Sequence, residues 1–106
     1  MEDLNNLKKF WNKKKVFITG HTGFKGAWLC IILKYLNSTI YGYALKPEKN
    51  SLFIKSQIGG NLTSNTYSDI RDVNKLKKKI KQSKAEIIFH LAAQPLVLES
   101  YKKPLK

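Results

Sequence analysis

The sequence predicts an α/β fold built on a parallel sheet, and three observations predict it. Short runs that fit strands recur at 16–19, 39–44, 65–67 and 85–91, apolar at 16–18 and 87–89. Between them, segments 24–36 and 73–82 carry apolar residues at helical spacing. Three glycines, Gly20, Gly23 and Gly26, crowd the junction between the first strand and the first of these helices. Alternation of strand and helix favours right-handed crossovers, and those make strands parallel.

The elements follow in order. After a polar N-terminal stretch, Val16-Phe17-Ile18-Thr19 is too short for a helix and reads as a buried parallel strand. Trp28, Leu29, Ile31, Ile32, Leu33, Tyr35 and Leu36 give the next segment its helical period, and Asn37-Ser38 ends it. The second strand, 39–44, stops before Pro47. The stretch 51–64 reads as irregular, with Gly59-Gly60 as its hinge and a short helix at 52–56. Asp72 is placed to cap a helix over 73–82 whose stripe is Val73, Leu76 and Ile80, with the lysines on its other face. In the fourth strand Ile87-Ile88-Phe89 reads as buried on both sides, and a helix is expected to begin near Pro95.

Bulk properties narrow the class. The 106 residues make at most one domain, and 42% hydrophobic residues put it among ordinary globular chains. No apolar run approaches the roughly 20 residues that span a bilayer, and the acidic Met1-Glu2-Asp3 start is no signal peptide, so no membrane partner is expected. A lone cysteine, Cys30, excludes an internal disulfide and fits a reducing cytoplasm. The net charge of +13 invites a nucleic-acid reading, but the basic residues are 19 lysines and one arginine, Arg71. Base readout and bidentate phosphate clamps favour arginine, so the lysines read as a solvated surface and nucleic acid is not the expected partner.

The chemistry lies in four places. Gly20-x-x-Gly23-x-x-Gly26, between strand and helix, reads as a cradle for the pyrophosphate of a dinucleotide. Gly20 permits the tight turn, Gly23 lets the backbone approach the phosphates, and Gly26 lets the helix pack on the strand. The helix N-terminus supplies unpaired N–H groups, and Lys25 is a candidate point charge. The spacing implies a Rossmann-type doubly wound parallel sheet, of which the chain holds the N-terminal part, about four strands. About 20 residues past the glycines, where a ribose-binding acid is expected, stand Lys46 and then Glu48, which leaves both NAD and NADP open. Asp69, after the third strand, is a candidate acceptor for the adenine amino group, with helix capping as its plainer role. His90-Leu91-Ala92-Ala93-Gln94 ends the fourth strand with small residues that admit a cofactor close to the backbone. His90 and His21 read more readily as packed histidines than as catalysts. Neither has the acid or thiol partners of a metal site or nucleophilic triad, and no metal is expected.

Together these pieces resemble the extended short-chain dehydrogenase/reductase family, whose marks are a TGxxGxxG turn, an Asp-Ile-Arg-Asp step and an HLAA segment. Gly-His-Thr-Gly-Phe-Lys-Gly at 20–26, Tyr-Gly-Tyr-Ala-Leu at 41–45 and His-Leu-Ala-Ala-Gln-Pro-Leu-Val at 90–97 narrow the likeness to its nucleotide-sugar dehydratases. The resemblance implies redox-neutral loss of water from a nucleotide sugar, with NAD as the bound cofactor. It implies that Gly20, Thr22, Gly23, Phe24, Lys25 and Gly26 hold pyrophosphate, that Asp69 and Ile70 face adenine, and that Leu91, Ala92 and Ala93 line the nicotinamide side.

Two departures accompany it. The arginine that often follows Pro-Leu-Val is replaced by Leu98-Glu99. The family's catalytic Tyr-x-x-x-Lys pair is absent, because the residues four after Tyr35, Tyr41, Tyr43, Tyr67 and Tyr101 are Thr39, Leu45, Pro47, Arg71 and Leu105. The resemblance therefore implies that 1–106 is a partial NAD(P)-binding domain, that catalytic and substrate-binding residues lie elsewhere in a longer enzyme, and that the longer enzyme is a homodimer. As an isolated piece the chain is expected to expose its fourth strand as a sheet edge.

Overall fold

The computed structural model describes residues 2–92. The expectations that fall on Ala93 and on a helix beginning near Pro95 lie outside the described residues. Four strands, β1 (Lys15–Thr19), β2 (Thr39–Ala44), β3 (Ser64–Tyr67) and β4 (Ile87–His90), form one sheet in the order β3-β2-β1-β4. Every pairing is parallel, with Ile18 opposite Gly42 on one side and Phe89 on the other. This is the Rossmann-type sheet the alternation predicts.

Side chains alternate across β1, so its two faces feed two cores. Val16 and Ile18 pack with Ile40 under Ala27, Cys30 and Leu33 of α2 (Phe24–Tyr35) and Phe53 of α3 (Leu52–Ser56). Phe17 and Tyr43 pack on the opposite face with Ile70 and with Leu76 of α4 (Val73–Ser83). Each fully buried side chain of this size contributes about 2 kcal/mol relative to exposure. The strands at the centre, β1 and β2, are buried almost throughout, while β3 and β4 at the edges alternate between half-buried and exposed.

Four details differ from the sequence expectations. The N-terminal stretch is a helix, α1 (Glu2–Trp11), whose last residue stacks on Phe89 of β4 at 6.2 Å between ring centroids. Ile88 is 46% exposed, because β4 is an edge strand among the described residues and α4 packs instead over β1. The Gly59-Gly60 hinge is part of a 3-10 turn, Ile58–Asn61. On α2, only Gly26, Ala27, Cys30 and Leu33 are buried, and Phe24, Trp28, Ile32 and Tyr35 stay exposed. The end of α2 is as expected: Asn37 closes it in the left-handed region, at φ 64°.

Candidate functional site

The site lies at the carboxyl ends of β1, β2 and β4, where parallel α/β sheets bind ligands. β1 leaves the sheet at Gly20, which is left-handed at φ +82° and donates its N–H to the Tyr43 carbonyl of β2 at 2.9 Å. A Cβ on Gly20 would stand 2.5 Å from the Ala92 nitrogen, so the chain leaving β4 passes directly against the turn. Gly26 brings α2 equally close: a Cβ there would meet the Gly20 carbonyl oxygen and stand 2.6 Å from the His21 Cα. Thr22 Oγ1 donates to the Leu45 carbonyl at 2.9 Å and ties the turn to the end of β2.

α2 then begins at Gly23, which offers no side-chain cap, and its first turn holds no acid. Its first backbone N–H groups therefore have no side-chain acceptor at the helix start, and the dipole there favours an anion. The space beside Gly23 is open, since a Cβ on it would meet only the Gly20 carbonyl oxygen, at 3.6 Å. An uncapped helix start facing open space fits a pyrophosphate.

This start opens on a cleft of about 310 Å³ lined by Gly20, Thr22, Gly23, Ala44, Leu45, Ser68, Asp69, Ile70, Leu91 and Ala92. The structure thus brings together seven of the residues the sequence singles out: Gly20, Thr22, Gly23, Asp69, Ile70, Leu91 and Ala92. Phe24 does not line it; together with Thr22, Gly23, Lys46 and Glu48 it borders an adjoining recess. Lys25 is exposed, and Gly26 is buried behind the turn, where it sets packing. Ala93 lies outside the described residues. The sequence did not single out Ala44 and Leu45 as lining residues. Their signal was position, at the carboxyl end of the strand beside the glycine turn. Ser68, which opens the Ser-Asp-Ile-Arg-Asp segment after the third strand, lines the cleft beside Asp69.

Asp69 accepts from the Arg71 backbone N–H at 2.8 Å and from the Arg71 guanidinium at 2.6 and 3.0 Å. These bonds hold its carboxyl below the usual carboxylate range, so it is an acceptor at neutral pH. Capping of α4 falls to Asp72, whose Oδ1 accepts from Lys75 N–H at 3.3 Å. Asp69 is therefore left at the cleft. The two histidines part company. His90 is exposed rather than packed, and its Nδ1 meets the Thr19 hydroxyl at 2.6 Å. His21 is completely buried, and desolvation lowers its pKa against opposing contributions from Asn65 and the Tyr43 backbone. Burial also pushes the Cys30 thiol up to about 12, so it is an inert core residue. Among the described residues no group of three His, Cys, Asp or Glu side chains is placed to hold a metal, and no helix is long and apolar enough to cross a membrane.

Comparison with known proteins agrees with this geometry. The family model of the NAD-dependent epimerase/dehydratase family matches residues 16–106. The chain belongs to that family. Among its relatives, the CDP-glucose 4,6-dehydratase of Salmonella typhimurium is 47% identical over 100 residues, covering 93% of this chain and 28% of the relative. The bifunctional polymyxin resistance protein ArnA of Wigglesworthia glossinidia brevipalpis is 40% identical over 105 residues, covering 97% of this chain and 15% of that protein. In fold, the chain is similar to a UDP-glucose-4-epimerase from Stenotrophomonas maltophila, solved with bound NAD and formylated UDP-arabinopyranose. The TM-score is 0.58 and the identity 25%, over 87% of this chain and 28% of the other. The chain thus spans less than a third of the length of these proteins.

Proposed function

We propose that this chain is the cofactor-binding part of a nucleotide-sugar 4,6-dehydratase that converts CDP-glucose to CDP-4-keto-6-deoxyglucose with bound NAD. The observation that carries the substrate is the 47% identity to the Salmonella CDP-glucose 4,6-dehydratase over 93% of the chain. The cleft supports the cofactor. In this reading the backbone from Gly20 to Gly26 holds pyrophosphate through the N–H groups at the start of α2, Asp69 and Ile70 face adenine, and Leu91 to Ala93 border the nicotinamide. NAD in that position supplies a reversible hydride acceptor. The chain's own residues bind and orient it, and the Asp69 carboxylate, ionised at neutral pH, accepts a hydrogen bond from the adenine amino group. Residues 1–106 form a partial NAD(P)-binding domain in this reading, and the catalytic pair and sugar-binding residues belong to the remainder of a longer, dimeric, cytoplasmic enzyme. Such an enzyme would supply deoxysugars for surface polysaccharides.

A second reading, an epimerase or reductase of the same fold acting on another nucleotide sugar, is favoured by the UDP-glucose-4-epimerase neighbour. Two measurements separate the readings. Calorimetric titration of the folded chain should show NAD binding that changes modestly with salt, unlike a nucleic-acid contact. If neither NAD(H) nor NADP(H) binds, the cofactor assignment fails. Joined to the remaining part of the Salmonella relative, the chain should support release of a 4-keto sugar from CDP-glucose and not from UDP-glucose. Equal turnover of both would favour the second reading. The 106 residues alone should turn over neither.

A further inference from the structure

The cleft does not explain His21. It belongs to the glycine turn, yet it does not line the cleft. Its side chain is completely buried beneath the turn. The imidazole lies across β2 at Gly42, where a Cβ would stand 2.5 Å from His21 Nε2 and 2.6 Å from Cγ, so only glycine leaves room for the ring. Its edge meets the Phe53 ring of α3, with centroids 5.2 Å apart. Nε2 lies 2.6 Å from Asn65 Oδ1 in β3, the residue paired with Gly42 in the sheet. With the Asn65 amide oxygen facing the ring, the tautomer that completes this bond carries its proton on Nε2. Asn65 is itself held, donating Nδ2–H to the Tyr67 hydroxyl at 3.2 Å. Nδ1 is buried with no hydrogen-bond partner among the described residues. A buried polar atom left unpaired is costly, and an aliphatic side chain would fill the same space without that cost. The side-chain hydrogen bond that the ring makes runs through Nε2 to Asn65.

From this geometry we infer that His21 is a positioning residue for the dinucleotide, fixing the pyrophosphate turn through its hydrogen bond to Asn65. This rests on the cofactor reading of the preceding section. With its side chain anchored inward on β2 and β3, His21 turns the next residues, Thr22 and Gly23, toward the cleft. The Asn65 bond links that orientation to β3, whose following loop carries Ser68, Asp69 and Ile70 to the same cleft. The pyrophosphate and adenine ends of the site are thereby set relative to each other by one part-buried contact.

The test uses NAD titration of the wild-type chain and of His21→Leu, His21→Gln and Asn65→Leu, with thermal unfolding of each. Glutamine can place an amide N–H near the position of Nε2, whereas leucine fills space without a donor. His21→Leu and Asn65→Leu should each weaken NAD binding about tenfold, as loss of one part-buried hydrogen bond at the upper end of its usual worth implies. His21→Gln should stay within about threefold of wild type, even where its unfolding midpoint falls. A folded His21→Leu that binds NAD like wild type overturns the inference, as does a His21→Gln as weak as His21→Leu. If His21→Leu does not fold, Asn65→Leu decides, because Asn65 is on an edge strand and contributes its amide; wild-type affinity there is equally fatal. Failure of the wild-type chain to bind any dinucleotide is a different result, since it removes the cofactor reading itself.

Discussion

The two long helices that follow β1 and β3 begin in opposite ways. α4 is closed by Asp72, whose carboxylate accepts from the Lys75 N–H, as an ordinary surface helix is. α2 begins at a bare Gly23, with no side-chain cap and no acid in its first turn. The same backbone need is met within the chain in one helix and left for a ligand in the other. Their inner faces differ too. α4 sets Leu76 into the core and turns lysines to solvent, while α2 comes so close to the turn that its inner face needs Gly26 and Ala27. One helix covers the sheet, and the other presents its N-terminus to the cleft.

The largest effect should come from spoiling that close approach. In Gly26→Ala the added methyl meets the Gly20 carbonyl oxygen and the His21 Cα, backbone atoms that cannot rotate away. A loss of about 3 kcal/mol or more is expected, the upper end for overpacking. Chemical denaturation measures it, and a near-neutral substitution would mean that α2 can slide outward. Alanine at Gly23 is a built-in contrast, because a Cβ there meets only ordinary contact.

Gly23→Asp makes the start of α2 resemble that of α4. The backbone at Gly23 is already extended, at φ −76° and ψ 173°, and open space surrounds it, so the carboxylate can cap the helix. Stability should rise by about 0.5–1 kcal/mol. NAD affinity should fall about 100-fold, since a fixed negative charge then occupies the anion's place. A variant that is both stabilised and fully able to bind NAD would show that the pyrophosphate sits elsewhere.

A third effect is a slope with pH. The folded pKa of His21 lies below its ordinary value of 6.5 because burial disfavours the imidazolium. The unfolded chain therefore takes up the proton first. Its contribution to stability is complete above pH about 6.5 and is lost as pH falls through that value toward the folded pKa. Unfolding midpoints of wild type and His21→Gln should converge from pH 7.5 to pH 5, with His90 common to both. Parallel curves would show that His21 does not titrate on unfolding.

How much of this was legible in the sequence follows the same division. Local chemistry was readable: the glycine spacing gave the turn, and Asp72 gave the α4 cap. The limits of β2 and of α3 match the sequence reading residue for residue. What depended on distant neighbours was not. Ile88 reads as a core residue from its apolar run even with β4 expected at an edge, because only the fold shows that α4 packs over β1 and leaves this face uncovered among the described residues. The exposed side of α2 is as apolar as its buried side, so periodicity could not choose between them. α1 lay hidden among lysines because its anchoring partner, Phe89, is far along the chain. Within the site, His21 could be recognised as buried in type but not in purpose, since its bond to Asn65 spans 44 residues.

The smallest effect returns to α4 and makes it begin as α2 does. Asp72→Ala removes the one side-chain acceptor at its start, leaving the Lys75 N–H to water. A cap of this kind is worth about 1 kcal/mol, and the 3.3 Å bond on an exposed carboxylate points to no more than that. Asp72 follows Asp69 and Ile70 by only a few residues but does not line the cleft. NAD affinity should therefore remain within about twofold of wild type while the unfolding midpoint drops by a few degrees. A loss of affinity greater than the loss of stability would mean that the Asp69 loop depends on the α4 cap. The two helix starts would then not be independent, and the division between covering helix and ligand-facing helix would fail.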